Sequence, residues 1–298
     1  MCTSPKTAWM PKTQNDRGTK PLLFRKPEKL DNYEVVQVPC RKCDECIKSK
    51  ALQWAIRMHC ELKTTTKPSW FVTLTYEDNH LPRDYNLDHS HAQKFIKDTR
   101  RKYGSMRYVN KGEYGERFGR PHFHLALFGI ELTDLTPKVG KKGYILYESP
   151  SLTKIWGKGN VIIGELTMES CLYIAKYMNK SSDAQEIDPM TGEINSTKTP
   201  EYMTMSTKPG IGYKWFSKWG ATDLGLGNDF MITQNGSKAP VPEFFDKQLK
   251  KDNPELYDLV KQDRLKNINT RSPEKNLYQA DYNRVINKQK KRNKKYLK

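Results

Sequence analysis

Two histidines spaced by one residue, His122 and His124, and two tyrosines one helical turn apart, Tyr173 and Tyr177, are the side chains of this sequence best spaced to do chemistry together. In a strand, residues i and i+2 project from one face. His122 and His124 then stand side by side, while Phe123, Leu125 and Leu127 point to the opposite, core-facing side. Two neutral imidazoles and one oxygen ligand can hold a divalent ion and leave positions open for a phosphate. Glu113 is the expected third ligand, because it closes the preceding strand where a hairpin brings it beside the histidines. Glu116 is the alternative, set within the turn. His89-Ser90-His91 repeats the spacing but follows Asp88 at an expected helix start, where residues two apart do not share a face, so that pair is read as structural.

The tyrosines lie in Leu172-Tyr173-Ile174-Ala175-Lys176-Tyr177-Met178-Asn179-Lys180. On a helix, positions i and i+4 share a face, so both hydroxyls address one site, with Lys176 and Lys180 close to the same stripe. A free phenol, with a pKa of about 10, is a poor nucleophile at neutral pH. A nearby cation or metal favours the phenolate, and lysine also offsets phosphate charge. Tyrosines at helical spacing are more often the edge of a core. The combination of a His-x-His strand, an upstream acid and a Tyr-x-x-x-Tyr helix is what points to nucleophilic attack at a phosphate.

The elements that must position these groups are legible in outline. Asp44 to Lys63 suits an amphipathic helix with basic flanks, and Trp70 to Tyr76 is β-branched and aromatic, a strand. A helix is expected from about Asp88 to Tyr103. Met106–Glu113 and His122–Ile130 read as two strands around a Gly/Arg-rich turn. Asn160–Leu166 reads as a further strand, followed by a helix over Thr167–Asn179 with Thr167 as N-cap. Residues 1–38 are mixed and Pro-punctuated, expected as an extended arm. Lys180 to about Pro200 is expected as a loop or lid, and Lys208-Pro209-Gly210-Ile211-Gly212 as a tight turn. That turn either sets backbone amides against a phosphate, with Lys208 beside them, or is a plain Pro-Gly turn, the reading preferred here. The resulting division is an arm (1–38), a catalytic domain opening on a Cys-rich helix (39–235) and a basic helical or disordered tail (236–298).

Lys and Arg number 52 against 34 acids, a net charge of +18. Such an excess favours a polyanionic partner, since each neutralised phosphate releases counterions, and the aromatic content offers stacking platforms for unpaired bases. The last fifteen residues carry eight Lys/Arg and no acid, so Lys290, Lys291 and Arg292 are expected to clamp DNA non-specifically. No stretch approaches the roughly 20 apolar residues of a membrane span, and the N-terminal twenty residues lack an apolar signal region. Cys40-x-x-Cys43-x-x-Cys46, without an export signal, suggests reduced thiols or a structural Zn²⁺ completed by His59 or Cys60.

Several segments together resemble the HUH endonuclease superfamily and, within it, the replication initiation proteins of microviruses, the gokushovirus-type single-stranded DNA phages. They are Val38-Pro39-Cys40-Arg41-Lys42-Cys43-Asp44-Glu45-Cys46, Gly112-Glu113-Tyr114-Gly115-Glu116, Gly119-Arg120-Pro121-His122-Phe123-His124, Tyr173-Ile174-Ala175-Lys176-Tyr177 and Lys208–Gly212. The resemblance implies an α+β fold with a central antiparallel sheet of about five strands flanked by helices, the histidines on central strands and the tyrosine helix across them. It implies Mg²⁺ or Mn²⁺ as cofactor, and single-stranded DNA with a viral replication origin as substrate, with Arg120 and Lys208 among the DNA contacts. It further implies tyrosine attack to give a 5′-phosphotyrosine, host helicase and polymerase as partners, and action in the host bacterial cytoplasm. Two other readings of the residues stand beside it: a non-catalytic nucleic-acid binder, and a zinc-dependent hydrolase using activated water.

Overall fold

The computed structural model describes residues 2–16, 18–140, 145–176, 198–225, 230–232, 236 and 238–269. Tyr177, Lys180, Lys290, Lys291 and Arg292, and the expected loop from Lys180 as far as residue 197, lie outside them. The chain begins with strands β1 (Lys6–Pro11) and β2 (Tyr33–Val38), then helix α1 (Asp44–Lys63) and β3 (Ser69–Thr75). Helix α2 (His89–Tyr103), β4 (Arg107–Tyr114), β5 (Pro121–Phe128), β6 (Thr136–Val139), β7 (Ile145–Glu148), α3 (Pro150–Trp156), β8 (Val161–Glu165) and α4 (Met168–Lys176) follow. After β9 (Tyr202–Met205), α5 (Tyr213–Trp215) runs through a π-helical turn into α6 (Ala221–Gly225), and β10 (Phe230–Ile232), β11 (Lys238–Pro240), α7 (Glu243–Asp252) and α8 (Pro254–Asn269) complete the described chain. No described helix is long and apolar enough to cross a membrane.

Seven strands form one sheet in the order β6-β7-β8-β3-β5-β4-β9, every neighbouring pair antiparallel. The α+β class is as expected. The sheet has seven strands rather than about five, because a short hairpin (β6-β7) extends it beyond β8 and β9 adds to β4 at the other edge. Alternation along each strand sorts side chains to two faces. On one, Val72, Leu74, Phe123, Leu125, Leu127 and Ile163 pack against Ala92, Phe95 and Ile96 of α2 and Leu152 and Trp156 of α3. On the other, Val109, Ala126 and Phe128 meet Ala55 and Met58 of α1 and Cys171, Ile174 and Ala175 of α4. Burying an aromatic or aliphatic side chain of this size contributes about 1.5–3 kcal/mol, so the two layers fix the plane of the sheet firmly.

Local chemistry sets the helix ends. Asp88 caps α2, accepting from the Ser90 amide at 2.8 Å, and Gly104 ends it with φ +87°. Thr167 and Ser170 exchange side-chain-to-amide bonds at the start of α4 (2.7 and 3.3 Å), a reciprocal cap that satisfies two otherwise orphaned groups. Gly112 in β4 permits a close approach: a Cβ there would stand 2.6 Å from the ring of Tyr202 in β9. Gly159, just before β8, has φ +146° and a Cβ position 2.4 Å from the Thr75 carbonyl oxygen, so only glycine lets this loop hug the end of β3.

Two expectations change. Residues 1–38 are not an extended arm: β1 and β2 pair antiparallel from Lys6↔Val38 to Pro11↔Tyr33. Their partners lie far apart in sequence, beyond the reach of local periodicity. Nor does the expected tail separate at 236, because β10 and β11 pair across that point and Phe245 and Leu249 of α7 join Trp215, Phe216 and Ile56 in a third buried cluster. The chain divides instead into one compact unit over Ala51–Gln262 and another containing residues 2–50 and 263–269.

Candidate metal centre and nucleophile

β4 and β5 place Glu113 directly opposite His122 and Lys111 opposite His124, and β3 places Thr73 opposite His124 on the other side. Side chains of directly paired residues share a face, so five polar groups converge at one end of the α1/α4 face. His122 Nε2 and Glu113 Oε1 are hydrogen-bonded at 3.0 Å, and His124 Nε2 lies 3.1 Å from the same oxygen. Glu113 Oε2 pairs with the ammonium of Lys111, which is only 2% exposed. The register anticipated from the hairpin thus brings Glu113, His122 and His124 together, with ligand atoms mutually within 4.8 Å. Glu116 is exposed in the turn and is not among them.

The second ring nitrogens are engaged outwards. His124 Nδ1 is 3.0 Å from Thr73 Oγ1, and His122 Nδ1 is 3.2 Å from the Arg120 carbonyl. Such partners on Nδ1 fix the ring and leave Nε2 to face a metal. Burial, reinforced by the neighbouring His122 and by Lys111, pushes His124 down to about 3. Desolvation likewise lowers His122, again with Lys111 contributing. Both rings are neutral at pH 7 and keep lone pairs for coordination. The decisive observation is His124 Nε2 itself, a buried nitrogen with no hydrogen-bond partner despite its closeness to Glu113. A buried polar atom left unmade costs about 1–3 kcal/mol, and a cation bound by the three side chains would satisfy it. The donor set, two imidazoles and a carboxylate, therefore fits a divalent ion.

α4 carries Tyr173 to the same place. Its ring stands edge-on to His124 with centroids 5.0 Å apart and edge-on to Phe71 at 6.0 Å, while Phe71 stacks on the other side of His124 at 5.4 Å. Cys171, Ile174 and Ala175 bury the opposite side of α4, so Tyr173 remains 43% exposed beside the histidines. Lys176 ends the same helix.

Other expected residues fall elsewhere. His89 and His91 do not share a site: His89 stacks on Tyr202 (3.5 Å), whereas His91 Nδ1 is 2.8 Å from the Tyr76 hydroxyl in the core of the sheet. Arg120 braces the turn, donating to Asp78 Oδ1 (2.6 Å) and the Tyr76 carbonyl (3.0 Å). Beside Lys208, the Gly212 amide already donates to the buried carboxylate of Glu61 at 2.7 Å, with Arg107 on the other oxygen at 2.5 Å. Arg57 lies between the rings of Trp54 and Phe244 and donates to the Ile211 carbonyl. The segment is a turn locked by a carboxylate. Cys40, Cys43 and Cys46 gather with Cys2, so the anticipated fourth partners, His59 and Cys60, are corrected. Cys60 sits in the third buried cluster, where burial pushes its thiol up to about 12. Lys111, Thr73 and Cys2 were missed from the sequence. Lys111 was open to discovery, since it shares β4's period-2 face with Glu113.

Residues 69–182 match a family model for the replication-associated proteins of the ORF2 type. Over 242 residues the chain is 33% identical to replication-associated protein ORF2 of Spiroplasma virus 4, covering 77% of this chain and 73% of that protein. It is 30% identical over 235 residues to replication-associated protein VP4 of Bdellovibrio phage phiMH2K, covering 74% and 69% respectively. A 166-residue match to replication-associated protein ORF4 of Chlamydia phage 1 is 33% identical and spans 51% of this chain and 41% of that one. No solved structure matches the chain significantly.

Proposed function

Because the chain belongs to the ORF2 family of phage replication-associated proteins, we propose that it starts rolling-circle replication by nicking the single-stranded viral origin through tyrosine attack. The observation that carries this reading is the position of Tyr173, edge-on to His124 at the mouth of the Glu113/His122/His124 cluster. A divalent ion, Mg²⁺ or Mn²⁺, held by those three side chains supplies Lewis-acid polarisation of the scissile phosphate. Thr73 and the Arg120 carbonyl hold the two imidazoles in the tautomer that offers Nε2. The Tyr173 oxygen bonds to phosphorus as the bond to the 3′ oxygen breaks. The phenolic proton passes to solvent, and the departing oxygen takes one up, leaving a 5′-phosphotyrosine and a free 3′-OH primer. Lys176, at the end of the same helix, offsets phosphate charge. Tyr177, one turn on, is assigned the second cleavage, after which the released 3′-OH attacks the first linkage and closes a circle. Lys180 has the same relation to Tyr177 as Lys176 has to Tyr173. The Lys290-Lys291-Arg292 segment clamps DNA non-specifically.

Incubation with a single-stranded origin oligonucleotide and Mn²⁺ is expected to give a protein–DNA adduct that survives denaturation. The Tyr173→Phe/Tyr177→Phe double variant is expected to give none while still binding the oligonucleotide. Cleavage without an adduct would make the nucleophile water, and binding without cleavage would make the protein a binder only. Either result overturns the reading.

A further inference from the structure

The unit that contains residues 2–50 holds a second cluster of metal-type ligands with no part in the chemistry above. Cys2 precedes β1, Cys40 follows β2, Cys43 stands just before α1 and Cys46 lies in the first turn of α1. All four sulfurs lie within 4.8 Å of one another, and Cys43 Sγ is 3.8 Å from Cys2 Sγ. A disulfide requires about 2.05 Å, and all four cysteines are free thiols. Zn–S bonds of about 2.3 Å in a tetrahedron put sulfurs about 3.8 Å apart, so the cluster has the dimensions of a mononuclear tetrathiolate site.

Two further observations point the same way. Backbone amides are aimed at the sulfurs: the Cys40 amide donates to Cys2 Sγ and the Cys43 amide to Cys40 Sγ, each at 3.3 Å. The turn between Cys40 and Cys43 achieves this with Arg41 in the left-handed region at φ +61°, strain that an ordinary surface turn has no need to hold. Hydrogen bonds to sulfur favour the thiolate, the form that binds metal. The β1-β2 pair also lacks a core of its own, since Thr3 and Ala8 are the buried residues among those described from 2 to 40. A segment that buries so little apolar surface needs a cross-link or a metal to hold one structure.

We propose that Cys2, Cys40, Cys43 and Cys46 bind one structural Zn²⁺ that fastens the β1-β2 hairpin to the start of α1. Four thiolates leave no open position, so the ion stabilises and does not catalyse. Cys2 is the ligand that spacing alone does not reveal, because it lies 38 residues before Cys40 and reaches the others only when β1 pairs with β2.

The test uses the full chain, purified under reducing conditions and dialysed against EDTA. Metal analysis is expected to find one zinc ion per chain, retained in a His122→Ala/His124→Ala variant and in Cys60→Ser, and lost in Cys43→Ser. With Co²⁺ in place of zinc, thiolate charge-transfer and tetrahedral d–d bands are expected. In Cys2→His they should shift to those of a three-sulfur, one-nitrogen site, a result that guards against Cys2→Ser simply failing to fold. Zinc should also protect these four cysteines, but not Cys2 in Cys43→Ser, from alkylation read by mass spectrometry. Absence of retained zinc from the wild-type chain overturns the proposal. An unchanged Co²⁺ spectrum in Cys2→His overturns the assignment of the fourth ligand, and a coloured iron site in the zinc-replete protein overturns the choice of metal.

Discussion

Lys111→Met offers the sharpest test of how the metal centre is held together. The Lys111 ammonium and the Glu113 carboxylate are 2% and 9% exposed in their side chains, and each is the other's ion-pair partner. Deleting one member of such a pair strands a buried charge, at a cost of about 3–5 kcal/mol. Glu113 keeps one hydrogen bond, from His122, so the lower end, about 3 kcal/mol, is expected for metal-free protein. Glu113→Gln should cost a similar amount by stranding the ammonium. The Lys111→Met/Glu113→Gln double variant, which removes both charges, should recover most of the loss and leave a coupling of about 2 kcal/mol or more. The assay is urea unfolding in EDTA, followed by the fluorescence of Trp70 and Trp156, which belong to or pack against this sheet. With a urea dependence near 3 kcal/mol per molar, the single variants should shift the midpoint by about 1 M. If Lys111→Met unfolds within about 0.5 kcal/mol of wild type, the ammonium does not compensate the carboxylate, and this account of the ligand set's apo state is wrong.

Two other outcomes are expected. Thr73→Val removes the partner of His124 Nδ1 and should weaken Mn²⁺ binding about 10- to 100-fold without unfolding the sheet; calorimetric titration showing unchanged affinity would remove Thr73 from the site. Truncation of the last fifteen residues, with eight Lys/Arg, should reduce the salt dependence of single-stranded DNA binding by a log–log slope of up to about 5 if every charge meets a phosphate. An unchanged slope in fluorescence anisotropy would exclude the tail as a clamp.

What could be seen in the sequence followed from local repetition. The period-2 pattern through His122, Phe123, His124, Leu125 and Leu127 separates ligands from core, and the structure keeps that separation. The span of α1 and the Asp88 and Thr167 caps are set by neighbours a few residues away, and they too were legible. Glu113 was within reach because a hairpin fixes which residues stand opposite each other. Hidden features depended on pairings between distant segments. β9 is a four-residue strand whose place beside β4 is decided by partners such as Thr204↔Asn110. The buried Glu61 could not be assigned from α1 alone, since its partners Arg107 and Gly212 come from two other parts of the chain. Cys2 and Thr73 were hidden for the same reason.

The opposition of Glu113 and His122 across β4 and β5 also decides where this protein tolerates changes of length. Residues can be added at 116–118, in the exposed turn, and the strands can still pair Glu113 with His122. One residue added between Asn110 and Glu113 would instead swing the carboxylate to the face occupied by Phe123 and Leu125 and leave the imidazoles without it. Insertions and deletions among relatives should therefore collect in the turn and spare the strand, and a hairpin mispaired by one residue would be inactive even if well folded elsewhere.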